Sequence, residues 1–189
     1  MKNTKEKIIE TAQKLFGKYG YNRTSVDEIA KIAHIAKGTI YHYFKSKSEL
    51  LEEVIKREEI LLRDELKKNI DLAITPQDKL RAFVMTRFNF IKNLSNYYDA
   101  INEEYLSHHS FIEKLRKSNF DNDIKMISQI LEEGKRNLIF KIKNTYFTSL
   151  AILTAIHGLE YPFITNSEIR DFEDMVDELL NILLKGIEA

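Results

Sequence analysis

Apolar residues recur every three to four positions along nearly the whole chain, the signature of amphipathic helices rather than strands. In the first fifty residues the pattern comes in three blocks. Ile8, Ile9, Ala12, Leu15, Phe16 and Tyr19 form one stripe over Lys5–Tyr19, with Thr4 placed to cap the start and Gly20 to stop the end. Ser25 followed by Glu28 is a capping box. It opens a short helix with Val26, Ile29, Ala30 and Ala33 on one face and Asp27, Glu28 and Lys31 on the other. A break at His34-Ile35-Ala36 precedes a second short helix over Lys37–Phe44. There Ile40, Tyr43 and Phe44 are expected inward, and Lys37, Gly38, Tyr41 and His42 fall together on the opposite face with Thr39 at its edge.

The rest continues in helices. Ser46 and Glu49 form a second capping box and open a helix to about Leu72, whose stripe is Leu50, Leu51, Val54, Ile55, Leu61, Leu62, Leu66 and Ile70. Thr75-Pro76-x-Asp78 starts another, with Pro in the first helical position, running to about Leu94. A short helix is predicted over Tyr98–Leu106, then Phe111 to about Lys135 with an interruption near Asn119–Asn122. Tyr146–Leu159 follows, stopped by Pro162. A last helix, capped by Asn166 or Ser167, has Phe172, Met175, Val176, Leu179, Ile182 and Leu183 as its stripe. No strand alternation or internal repeat stands out. The expectation is an all-α chain of about nine helices.

The polar face of the second short helix is unusual. It offers a cation, a helix-interior glycine, a phenol and an imidazole, with a hydroxyl beside them. Glycine inside a helix costs about 1 kcal/mol against alanine, which makes sense if something bulky must approach. Lys, Tyr, Ser and Thr side chains bind phosphate oxygens, and residues at the start of such a helix read base edges. Charge supports this: residues 1–50 hold ten Lys/Arg against five Asp/Glu, a net +5, and the remaining 19 basic and 24 acidic residues give −5. A basic head on an acidic body would orient the molecule on DNA. Lys2, Lys5 and Lys7 are further candidates for phosphate, or form a solvated basic tail.

Composition excludes several classes. Apolar content is 43%, enough for a packed core, and there is no cysteine, so disulfides, thiolate metal sites and cysteine nucleophiles drop out. No signal-like or membrane-length apolar run is present, and a cytoplasmic protein is expected. The five histidines form no metal-binding pair, and no nucleophile elbow or phosphate-binding glycine loop occurs. An enzyme is not expected, nor a metal or cofactor. His157 reads most simply as a hydrogen-bonded histidine on an interface.

Phe16, Gly20, Thr24-Ser25-Val26, Ile29-Ala30 and the run Lys37-Gly38-Thr39-Ile40-Tyr41-His42-Tyr43-Phe44-Lys45-Ser46-Lys47-Ser48-Glu49-Leu50-Leu51 resemble the N-terminal domain of TetR-family transcriptional regulators. The resemblance covers about the first quarter of the chain. Two positions depart from it: His34 stands where the family usually has Gly, and Ala36 where it often has Ser or Thr. A turn residue there can need positive φ, which His tolerates better than most. Ala36 cannot cap the next helix, a loss of about 1 kcal/mol.

The resemblance implies a helix-turn-helix DNA-binding domain over residues 1–47 and a helical ligand-binding and dimerisation domain over residues 48–189. The expected DNA contacts are Thr24, Ser25, Lys37, Gly38, Thr39, Tyr41, His42 and Lys47, with Tyr41 and Lys47 on phosphate. The family forms its dimer through the last two helices. Leu150, Ala151, Thr154, Ala155 and Gly158 would allow close approach, and Met175, Leu179 and Ile182 would supply larger contacts; intrachain core is the rival reading of each. An inducer cavity is implied among the aromatics, with Phe83, Arg87, Phe88, Tyr105 and His109 as candidate lining. Arg87 could meet a bound carboxylate or phosphate, or else an acidic side chain of the same chain. The expected function is a homodimeric regulator of a palindromic operator, a repressor released by a small, largely apolar effector. Two rivals remain open: a constitutive DNA-binding regulator whose second domain only dimerises, and a helical interaction module that does not bind DNA.

Overall fold

A computed structural model describes residues 3–93, 110–165 and 172–187. These form eight helices and no strands: α1 Thr4–Tyr19, α2 Val26–Ile32, α3 Lys37–Tyr43, α4 Lys47–Leu72, α5 Pro76–Asn93, α6 Ser110–Arg136, α7 Thr145–Thr165 and α8 Phe172–Lys185. The helix predicted over Tyr98–Leu106 and the cap predicted at Asn166 or Ser167 lie outside the described residues. Of the described residues, 3–61, 93 and 110–112 fall in one compact unit and 62–92, 113–165 and 172–187 in a second. The division lies inside α4, whereas the sequence reading drew its boundary where that helix begins.

In the first unit the predicted stripes close into a core. Ile8, Ala12, Phe16, Ile29, Ala33, Ile40, Phe44, Leu50, Val54 and Ile55 are all buried. Polar pairs run beside it between α1 and α4. Lys5 meets Glu53 at 3.2 Å, Arg57 meets Glu10 at 2.9 Å, and Gln13 donates to the fully buried Glu58 at 3.0 Å. Some expectations shift. Asn3, not Thr4, caps α1, accepting from the Lys5 amide. Tyr19 and Leu61 are exposed. Tyr19 is the last residue of α1, and beside Leu61 it is Glu58 and Leu62 that are buried.

The second unit is built on Leu62, Leu66, Leu80, Phe83, Val84, Phe88, Ile127, Leu131, Leu153, Ile156 and Val176. The helix start expected at Thr75-Pro76 forms, the Asp78 amide donating to Thr75 Oγ1 at 3.1 Å. The expected interruption near Asn119–Asn122 is absent: α6 is continuous there, since asparagine weakens a helix too little to break one packed along its length. Pro162 does not stop α7, which continues to Thr165. Pro162 lacks the amide that would donate to Gly158 O, and the helix runs through at the cost of that one bond. The end of α6 is a Schellman motif, with the Leu138 amide donating to Lys135 O at 3.1 Å and the Ile139 amide to Gly134 O at 2.9 Å. Leu138 takes the left-handed place, at φ 59°.

Within this core lies a buried polar cluster joining α5, α6 and α7. Arg87 donates through Nε and Nη2 to Glu160 at 3.1 and 2.8 Å, through Nη1 to Asp123, and Nη2 lies 3.2 Å from His157 Nε2. A guanidinium only donates, so His157 accepts and its proton sits on Nδ1. Burial raises the Asp123 carboxyl above its usual range, against the pull of Arg87, and burial lowers the His157 imidazole.

Two stability changes follow. Arg87→Met strands two buried carboxylates and should cost about 3–5 kcal/mol in urea unfolding; a loss below 1 kcal/mol would show the cluster is not a structural tie. Leu138→Gly relieves a left-handed leucine and should raise stability by roughly 1 kcal/mol, read as a higher melting temperature.

Candidate nucleic-acid interface

The first three helices position one exposed surface. Ser25 caps α2 in a complete capping box: its Oγ accepts from the Glu28 amide at 3.2 Å, and its own amide donates to Glu28 Oε2 at 2.7 Å. The backbone hydrogen bond from Ser25 lowers the Glu28 carboxyl below its usual range. At the other end of α2 the His34 amide donates to Lys31 O at 3.2 Å and the Ile35 amide to Ala30 O at 3.0 Å. This is a second Schellman motif, with His34 left-handed at φ 52°. The turn keeps the geometry a glycine would give it. Ala36 then begins α3 with no side-chain cap, leaving an orphan amide that a serine would serve.

Ile40 and Phe44 anchor α3 inward. Tyr43, expected with them, is 37% exposed, its ring edge-on to His42 at 5.2 Å; the phenol keeps its polar end in water. The predicted face is outward: Lys37, Gly38, Tyr41 and His42 are exposed and Thr39 is half-buried. A methyl group added at Gly38 would meet nothing within 4 Å, so the chain itself does not demand a glycine there. Lys37 is held by Asp27 of α2 at 2.8 Å, and that hydrogen bond raises its ammonium above the usual range. The tie spans ten residues and two helices, so no local spacing signals it.

Other side chains expected on this surface do different work. Thr24 is buried and its hydroxyl donates to Gly20 O at 2.9 Å and Leu15 O at 3.3 Å, so it cannot be offered outward. Lys47 donates to Tyr21 O at 2.9 Å and Thr24 O at 3.1 Å, with its ammonium 4.1 Å from the Tyr21 ring centre. Burial lowers its ammonium. It ties the start of α4 to the loop before α2 rather than standing free for phosphate. Lys5 is likewise engaged, by Glu53; Lys2 lies outside the described residues. Ser25 stays exposed.

In the second unit, Phe83 and Phe88 are fully buried core residues and Arg87 is satisfied by Asp123 and Glu160. Arg87 therefore pairs within the chain instead of waiting for an anion. Tyr105 and His109 lie outside the described residues. A cavity of about 300 Å³ lies elsewhere, lined by Lys67, Ile70, Asp71, Lys79, Met126, Gln129, Ile130 and Glu133. None of these was singled out by sequence, where they read as solvated helix surface. On α7, Ala151, Thr154 and Gly158 are exposed and Leu150 and Ala155 half-buried; on α8, Ile182 is exposed and Met175 and Leu179 half-buried. His157 is half-buried and hydrogen-bonded as expected, its Nε2 lying 3.2 Å from Arg87 Nη2. Among the described residues no helix is long and apolar enough to cross a membrane, and no group of His, Asp and Glu could hold a metal.

Residues 8–54 match the family described as bacterial regulatory proteins, tetR family, and residues 63–189 match the QacR-like protein C-terminal region. The HTH-type transcriptional regulator QacR of Staphylococcus aureus is 29% identical over 192 residues, covering 98% of both chains. The biofilm operon icaADBC HTH-type negative transcriptional regulator IcaR of the same organism is 27% identical, covering 96% of this chain and 99% of that one. A transcriptional regulator from Cytophaga hutchinsonii superposes with a TM-score of 0.83 at 25% identity, over 97% of this chain and 98% of that one.

The turn carries its own test. Ala36→Ser should add about 1 kcal/mol by capping α3, and His34→Gly should also stabilise, by relieving the left-handed histidine. Urea denaturation of both variants checks this; a His34→Gly protein less stable than the parent would mean the imidazole makes a contact that outweighs the strain.

Proposed function

The chain belongs to the TetR family of bacterial regulatory proteins, and from that premise we propose a homodimeric repressor that reads a palindromic operator and lets go when a small effector binds its second unit. It is a DNA-binding transcriptional regulator and not an enzyme. The observation that carries the reading is the outward face of α3. Two hydrophobic anchors turn Lys37, Gly38, Tyr41 and His42 to solvent, where a helix in the major groove needs its polar side. Tyr41 would bind phosphate, and Lys37, Thr39 and His42 would set sequence preference at about 1–3 kcal/mol per base pair. Ser25, exposed at the start of α2, would turn its hydroxyl from Glu28 to the DNA backbone.

The dimer rests on α7. Its inward side, Ile152, Leu153 and Ile156, is buried. Its other side, with Phe147 at 64% exposure, Leu150, Ala151, Thr154 and Gly158, carries no charged side chain. A helix apolar on both sides needs a cover, and the exposed Ile182 of α8 extends the patch. Small residues at 151, 154 and 158 permit close helix approach. Two-fold symmetry would then present two α3 helices to two half-sites. IcaR is by name a negative regulator, which supports repression.

Fluorescence anisotropy on DNA flanking the protein's own gene tests the reading. With 6–10 phosphate contacts per dimer, affinity should fall about 10³–10⁵-fold from 50 to 200 mM salt; a complex indifferent to salt would count against it. Gly38→Ala separates folding from binding. It should stabilise the protein by about 1 kcal/mol and weaken DNA binding tenfold or more, because the added methyl points to open space in the free chain. Unchanged affinity would remove α3 from the DNA surface.

A further inference from the structure

The cavity in the second unit has a distinct chemistry. Its lining combines the apolar Ile70, Met126 and Ile130 with two ammonium groups, Lys67 and Lys79, and two carboxylates, Asp71 and Glu133. Lys79 and Glu133 hold each other, Nζ to both carboxylate oxygens at 2.6 and 2.7 Å. That pair is closed and neutral, joining α5 to α6. Lys67 and Asp71 differ. They stand one turn apart on the same face of α4, both exposed, and among the described residues neither side chain has a hydrogen-bond or ion-pair partner. One free cation and one free anion therefore border one cavity beside apolar side chains.

We infer that this cavity seats a small zwitterion with an apolar side group, an α-amino acid or close analogue, its carboxylate on Lys67 and its ammonium on Asp71. The inference rests on the effector reading above and names the effector's class. About 300 Å³ is the lower end of ligand-pocket size, suited to a molecule of a dozen heavy atoms or fewer. The four charged groups sum to zero. A ligand bearing one charge would satisfy Lys67 or Asp71 and desolvate the other unpaired, which disfavours it. Met126 can adapt its shape to different apolar groups, and Gln129 can donate to or accept from the ligand at the rim.

Calorimetry and thermal shift on the full-length protein test this with L-leucine, L-methionine and L-phenylalanine, each beside its N-acetyl derivative and its methyl ester. At least one amino acid should bind, with both single-charge derivatives at least tenfold weaker. Lys67→Ala should weaken the amino acid and erase its advantage over the ester, and Asp71→Ala should erase its advantage over the N-acetyl form. Both sites are exposed, so both variants should melt like the parent without ligand. No binding by any of the three, or binding indifferent to both substitutions, overturns the site. DNA release is read separately. Binding with release supports site and effector role together. Binding that the two substitutions weaken, without release, upholds the site and overturns its role as the effector's seat. Release by an apolar compound that ignores both substitutions overturns the cavity's role and leaves the repressor reading intact.

Discussion

A seven-residue helix makes too few internal hydrogen bonds to overcome its nucleation cost. α3 therefore exists because Ile40 and Phe44 are buried against the rest of the first unit, at 1% and 2% exposure. Those two contacts also fix how the helix is rolled about its axis. With positions 40 and 44 inward, a turn of about 100° per residue leaves 37, 38, 41 and 42 outward. The outward face is thus not arranged residue by residue. It is what remains when two apolar side chains are satisfied, and its rigidity is borrowed from Ile29, Ala33, Leu50 and Val54 around them.

Local chemistry around α3 is poorer than the fold needs. The preceding turn has a histidine in the left-handed place, and α3 has no side-chain cap. Asp27 occupies Lys37, an exposed pair worth little to stability but enough to set where the ammonium rests. Lys47 compensates from the other side by gathering two loop carbonyls. Sequences tend to break local rules where function competes with stability, and here the departures cluster at the turn that sets the pitch of α3.

Much of the fold is legible because burial is one-sided: apolar spacing, with capping signals at Ser25, Ser46 and Thr75, locates α1 to α5 and gives most of the inward faces of α2, α3 and α4. What stayed hidden was the work of polar side chains, whose partners are remote in sequence. Arg87 and Glu160 are 73 residues apart, and Lys47 and Tyr21 are 26. A lysine that closes a loop and one that waits for phosphate look alike in a string of letters. Thr24 fell to the same limit, since a threonine before a helix can cap, contact a ligand, or, as here, donate back to α1. Tyr19 and Tyr43 were assigned inward because periodicity counts an aromatic ring and ignores its hydroxyl. Glu58 is buried and accepts from Gln13, 45 residues away, a partnership periodicity does not show. The cavity around Lys67 and Asp71 left no trace either, because exposed charge is the commonest feature of any helix.

The magnitude required of an effector bears on its chemistry. Moving a two-state protein from 1:99 to 99:1 takes about 5.5 kcal/mol of differential affinity. α4 is the element on which such a preference would act, for it lends Leu50, Leu51, Val54 and Ile55 to one core and Leu62 and Leu66 to the other. Fully burying one side chain the size of leucine supplies about 1.5–3 kcal/mol, short of the requirement even if every contact were made in one state only. Hydrogen bonds to charged groups supply about 1.5–3 kcal/mol each once the ligand covers those groups from water. Two of them, to groups one turn apart on α4, added to one apolar contact, reach the required range; an apolar group alone in a cavity this small does not. An effector that grips α4 through charge can therefore switch the protein with a small ligand, where a purely apolar one would need a larger cavity.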